Sequence, residues 1–104
     1  MSFEVRFALA AEDDLIRLFE FLFERAKTTE DLDRAQHAIN AIESATLFHL
    51  ASTPYSFRKT GESPTRRELI IPFGTTGYIA LFEIASASIV LVLAVRHQRE
   101  EDYH

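Results

Sequence analysis

Ile89-Val90-Leu91-Val92-Leu93-Ala94-Val95 is the stretch that decides the fold. Seven apolar residues run without alternation, too few to span a bilayer and too β-branched for a surface helix. They read as a strand covered on both faces at the centre of a sheet. A helix is expected on one side, and a partner is one candidate for the other. Ser86-Ala87-Ser88 is short enough to join this strand to a neighbouring one over Tyr78 to Ala85, and Pro72-Phe73-Gly74-Thr75-Thr76-Gly77 reads as the turn before that. Arg67-Glu68-Leu69-Ile70-Ile71 supplies a third strand, and strands joined by turns this short run antiparallel.

Ahead of the meander, Ser52 to Thr65 holds Pro54, Gly61 and Pro64 among Ser and Thr, the signature of the longest irregular segment. Two helices are expected before it. In the first, Leu15, Leu18, Phe19, Leu22 and Ala26 recur at three- and four-residue steps, with Ile16 and Phe23 widening the stripe. Glu12-Asp13-Asp14 marks its start by facing the positive end of the helix dipole, and about 16 residues carry it to Lys27. Thr28, three residues before Asp31, caps a second helix from Glu30 to about Leu50, spanning ~30 Å. So short a joint folds the pair into an antiparallel hairpin, and Ala35, Ala38, Ala41 and Ala45 permit close approach. Ser2 to Ala8 alternates Phe3, Val5 and Phe7 with Glu4 and Arg6, a first strand with one buried face. The expected class is α+β: an N-terminal strand, a helical hairpin, then a three-stranded antiparallel meander forming one small sheet, in a single domain over 1–104.

Composition narrows the chemistry. The chain has 104 residues and no cysteine, which excludes disulfides, thiolate metal sites and a cysteine nucleophile. The opening has no signal-peptide pattern and charges interrupt every apolar run, so a cytoplasmic protein without a membrane partner is expected. The net charge of -5 is uneven: residues 1–52 carry ten acids against five Lys and Arg, and residues 53–104 carry six of each. Any polyanion would have to find a local basic surface in the second half.

Two places in that half have chemical potential. After Val95 the chain turns polar, Arg96-His97-Gln98-Arg99-Glu100-Glu101-Asp102-Tyr103-His104. One reading is a solvated tail in which Arg96 and Arg99 pair with Glu100 and Asp102. The other is a proton-transfer and phosphate-contacting site: His97 can take up or give a proton, Arg99 can hold a phosphate bidentately, and Tyr103 can exchange a proton. Arg58, Lys59, Arg66 and Arg67 form the stretch with excess positive charge, read either as edge-protecting charges or as contacts to a partner. The negative whole-chain charge ranks an acidic protein ahead of RNA as that partner. Asp33 and His37 lie one helical turn apart near Glu30, a spacing that chance often produces, and His49 suits a helix C-terminus, so no metal is expected. Without Walker or Rossmann glycines no nucleotide cofactor is expected either.

The element order, the Ala-Glu-Asp-Asp-Leu helix start, Ala35, Ile39 and Ile42 in the second helix, Arg67-x-Leu69, and above all Val95-Arg96-His97-x-Arg99-Glu100 resemble the RelE/ParE toxin superfamily, in particular its ParE-like plasmid-stabilisation branch. The resemblance covers nearly the whole chain. It implies the toxin of a type II toxin–antitoxin pair, neutralised by a cognate antitoxin, with a homodimer as a further assembly to test. RelE-like members cleave mRNA on the ribosome without a metal, and there the resemblance would carry roles to Arg67, His97, Arg99 and Tyr103. ParE-like members inhibit DNA gyrase by binding it. The RelE-like nucleases resemble basic, lysine-rich proteins, whereas this chain has only Lys27 and Lys59, so gyrase inhibition is the leading expectation and Arg58, Lys59, Arg66 and Arg96 the partner-binding candidates. The mRNA endonuclease and an inactive antitoxin-binding relative are the alternatives.

Overall fold

The computed structural model describes residues 2–100. Its elements are β1 (Glu4–Phe7), α1 (Leu9–Arg25), α2 (Thr29–Leu50), a single 3-10 turn at Pro54–Ser56, β2 (Arg58–Lys59), β3 (Arg66–Phe73), β4 (Thr76–Ile84) and β5 (Ile89–His97). They form one five-stranded sheet in the order β1-β5-β4-β3-β2, with both helices on one face. The α+β class and the meander are as the sequence predicts. The sheet also gains what the pattern did not reveal: β1 lies parallel to β5, with Val5 opposite Val90 and Phe7 opposite Val92, and the two-residue β2 pairs with β3. Parallel pairing follows from the helical hairpin, which works as the long crossover that two parallel neighbours need.

Helix α1 starts at Leu9, three residues earlier than the acidic triplet suggests, because Leu9-Ala10-Ala11 are themselves strong helix formers. Glu12 still sits in the first turn, but Asp14 falls further in and is buried, and α1 ends at Arg25 rather than Lys27. The start of α2 is built as the sequence indicates. Thr28 Oγ1 accepts from the Asp31 amide at 3.1 Å, and the Asp31 carboxylate accepts from the Lys27 amide at 3.0 Å. Two orphan donors are satisfied by two neighbouring side chains.

The core lies between the hairpin and one sheet face. Leu18, Ile42 and Leu50 from the helices meet Leu69, Ile71, Phe82, Val90, Val92 and Val95 from the strands. Ala35 and Ala38 of α2 are buried as well. The second face of β5 is only half covered: Ile89, Leu91 and Leu93 are part-exposed while Val90 and Val92 are fully buried. The register explains the partial cover. Leu91 stands in a row with Arg6 and Glu83, and Glu83 reaches Arg66 at 3.6 Å, so long polar side chains flank it.

At the far end of the meander, β3 and β4 are joined by only Gly74-Thr75, so both strands run further than the sequence reading allowed, and Pro72 stands opposite Gly77. Gly74 takes a left-handed φ of 61°, and a Cβ on Gly77 would lie 2.5 Å from the Ile71 carbonyl oxygen. Glycine is required at both positions. No helix among the described residues is long and apolar enough to cross a membrane.

Candidate functional site

Where β5 stops, the chain turns instead of trailing away. The Glu100 amide donates to the His97 carbonyl at 3.0 Å, the Gln98 amide to the Gly77 carbonyl at 2.9 Å, and Arg96 Nη1 to the carbonyls of His97 and Glu100. Helix α1 fixes the turn from outside. Beyond Val92, β1 no longer flanks β5, and the outward Val95 amide is taken by Asp14 Oδ2 at 2.9 Å. Arg17, one turn further along α1, grips Glu100 at 2.7 Å, and Glu100 in turn accepts from the His97 amide at 2.9 Å. Asp14, Arg17 and Glu100 thus form a chain of charge-assisted contacts from the helix to the end of the sheet. Glu100 thus pairs with Arg17, a partner on α1 that the solvated-tail reading did not include, and Asp102 lies outside the described residues.

His97 is held on both ring nitrogens. Its Nδ1 accepts from the Arg99 amide at 3.1 Å, and its Nε2 is 3.3 Å from Thr76 Oγ1. Only a tautomer with hydrogen on Nε2 satisfies both contacts. The ring stands edge-on to Tyr78 at 5.4 Å. Burial pushes the Tyr78 phenol above its ordinary value of 10.0, with the Arg34 guanidinium pulling the other way.

This end of the sheet forms one wall of a cleft of about 620 Å³. The opposite wall comes from α1 and α2 near their connection, with Leu18, Leu22 and Ala35 as apolar lining beside Phe73 and Tyr78. Arg17, Arg25, Arg34 and Arg99 also line it, against only Asp31 and Glu100. Arg25 lies 3.7 Å over the Phe21 ring and Arg34 5.5 Å from the Phe73 ring. The Lys27 amide hydrogen holds the Asp31 carboxyl below the ordinary carboxylate value, so this acid stays ionised. The sequence reading missed Arg17, Arg25 and Arg34. The signal was available: Arg17, Phe21 and Arg25 recur at four-residue steps and so share a face of α1.

The structure brings together His97 and Arg99 but not Arg67. Arg67 stands opposite Phe82 on β4, whereas His97 stands opposite Tyr78. That offset is roughly 13 Å along the sheet and about 9–10 Å across it. Arg67 Nη1 donates to the carbonyls of Tyr55 and Phe57 at 3.2 and 2.6 Å, tying down the loop before β2. Tyr103 lies outside the described residues. The basic stretch is also divided by the strand pleat: Arg58 and Arg66 share the uncovered sheet face with Arg96, while Lys59 pairs with Arg67 on the other. Arg58 is bonded to Glu68 at 2.9 Å and Arg66 lies near Glu83. Among the described residues no group of three or more His, Asp or Glu is placed to hold a metal ion.

A helical hairpin lies on one face of a sheet whose last strand runs out into Arg96-His97-x-Arg99, the arrangement that the resemblance to the RelE/ParE superfamily implies. Comparison with known proteins makes this specific. Residues 5–102 match the family described as the ParE toxin of the type II toxin–antitoxin system parDE, and the chain belongs to that family. It is 32% identical over 89 residues to Toxin RelE1 of Caulobacter vibrioides, covering 86% of this chain and 87% of the relative. Its backbone also superposes on a solved chain from the chromosomal ParDE TA system of P. aeruginosa with a TM-score of 0.72. That match covers 92% of this chain and 96% of the other at 14% identity, a likeness of fold.

Proposed function

We propose that the chain is the toxin of a type II toxin–antitoxin pair, neutralised by a cognate antitoxin, and that it acts by binding DNA gyrase rather than by cutting RNA. Membership of the ParE toxin family supports the toxin reading. One observation supports binding over catalysis: the arginine that an RNA-cleaving centre would need beside His97 and Arg99 is instead bonded to the carbonyls of Tyr55 and Phe57. Phosphoryl transfer depends on groups gathered within hydrogen-bond reach of one phosphate, and Arg67 is several times that distance away. The acidic whole-chain charge also disfavours a long RNA.

In vitro, the purified chain should block supercoiling by gyrase. Unaffected supercoiling at large toxin excess would remove the gyrase reading. Primer extension on translated messages provides the counter-test: cuts within codons that vanish in Arg99→Ala would establish the endonuclease instead. Expression of the chain should arrest growth, and co-expression of a small open reading frame abutting its gene should restore it.

A further inference from the structure

We propose that Arg17 is a positioning residue: from α1, acting through Glu100, it holds His97 and Arg99 in the arrangement in which the turn after β5 meets its target. The inference rests on the toxin reading and adds what keeps that surface in shape.

The turn is held in series. The backbone of Arg99 is fixed by the His97 ring, whose Nδ1 accepts the Arg99 amide at 3.1 Å. The backbone of His97 is fixed by Glu100, whose Oε2 accepts the His97 amide at 2.9 Å. Glu100 in turn is gripped by both terminal nitrogens of Arg17, Nη1 on Oε1 at 2.7 Å and Nη2 on Oε2 at 3.4 Å. A two-point fork sets the plane of the carboxylate as well as its place, which a single ammonium does not. Arg17 is itself set from its own helix: Asp14 Oδ1 lies 3.7 Å from Nη2, and the other Asp14 oxygen holds the Val95 amide. One rigid element thereby orders a turn 83 residues away in sequence.

Stability does not account for this arrangement. Neither Arg17 nor Glu100 belongs to the core cluster, and their side chains are 36% and 30% exposed, so the ion pair contributes little to the fold. Yet Arg17 Nε is buried without a hydrogen-bond partner, a desolvation that an arginine turned out into solvent would avoid. What the contact secures is the shape of the turn. The group at its tip is left for a partner: Arg99 is exposed and its guanidinium pairs with no carboxylate among the described residues. The sheet supplies two further holds, the Gln98 amide on the Gly77 carbonyl and Thr76 on the His97 ring. Both survive a change at Arg17, so the turn shifts without the fold being lost.

The test uses the full chain. Arg17→Gln and Glu100→Ala should each keep the thermal midpoint within about 5 °C of wild type while abolishing growth arrest and weakening gyrase inhibition at least about tenfold. Arg17→Lys, with one contact point in place of two, should fall between. Changing both residues should lose no more activity than Glu100→Ala alone, because Arg17 acts through Glu100. Amide NMR shifts in Arg17→Gln should move at His97 to Glu100 and stay in place along β3 and β4. The proposal is overturned if Arg17→Gln arrests growth as wild type does, if the double variant loses far more than Glu100→Ala, or if activity falls only in step with the midpoint. Should wild type arrest growth and leave gyrase untouched, the gyrase reading fails, and the growth series still decides the role of Arg17. Should wild type do neither, the toxin reading fails, and the amides decide: displaced at His97 to Glu100 they support positioning, unmoved they overturn it.

Discussion

At the residue scale, the carboxylate of Asp14 is buried on a helix, where it completes the hydrogen bonding of a strand that its neighbour has left. Asp14→Ala would strand the Val95 amide in the interior. A loss of about 2–3 kcal/mol is expected from urea unfolding, with Asp14→Asn losing less because it keeps an acceptor. Equal midpoints for wild type and Asp14→Ala would show that the bond contributes nothing. Tyr78 gives a pH prediction. Burial raises its phenol above 10.0 in the folded chain, so the folded state favours the neutral form. The corresponding share of stability is fully present below the unfolded value and is lost as pH rises through the folded one. Unfolding midpoints followed from about pH 9 to about pH 12 should fall for wild type and flatten for Tyr78→Phe. An absorbance titration at or below the ordinary value would contradict this.

At the scale of elements, the start of α2 and the loop before β2 are each held by one identifiable side chain. Thr28→Ala removes the acceptor for the Asp31 amide and should lower stability by about 1 kcal/mol. Arg67 acts on a segment rather than a strand, because its guanidinium reaches two carbonyls of the single turn before β2. In Arg67→Gln, hydrogen exchange should quicken at Tyr55 to Phe57 while β4 and β5 keep their protection. Unchanged exchange in the loop would mean that packing of the buried Pro54, not the arginine, holds it. The irregular stretch from Ser52 to Thr65 was legible as a break, since Pro and Gly forbid regular pairing there. Its small edge strand was not. Arg58 and Lys59 carry no apolar alternation, and they pair only because β3 offers its free edge.

At the scale of the whole molecule, a chain ending at Val95 keeps every residue of the core cluster and loses the turn clamped by Arg17. That truncation should still unfold cooperatively but should no longer arrest growth on induction. Retained killing would place the working surface elsewhere, with the uncovered sheet face and its exposed Ile70 next in order.

Composition, period and local caps were enough, from the chain alone, to set out the helical hairpin, the Thr28 cap and the antiparallel meander, because each depends on residues within a few positions of one another; the toxin class came from the resemblance of the whole chain to a known superfamily. Long-range placement was left to the folded state. Nothing near Arg67 in sequence says that pairing register carries it away from His97, and nothing near Asp14 says that it will meet Val95. The cationic cleft is of the same kind: Arg17 and Arg25 on α1, Arg34 on α2 and Arg99 past β5 become neighbours only when the crossover lays the hairpin over the sheet. Side-chain spacing is a local property that sequence states directly, while the meeting of distant charges depends on how whole elements pack.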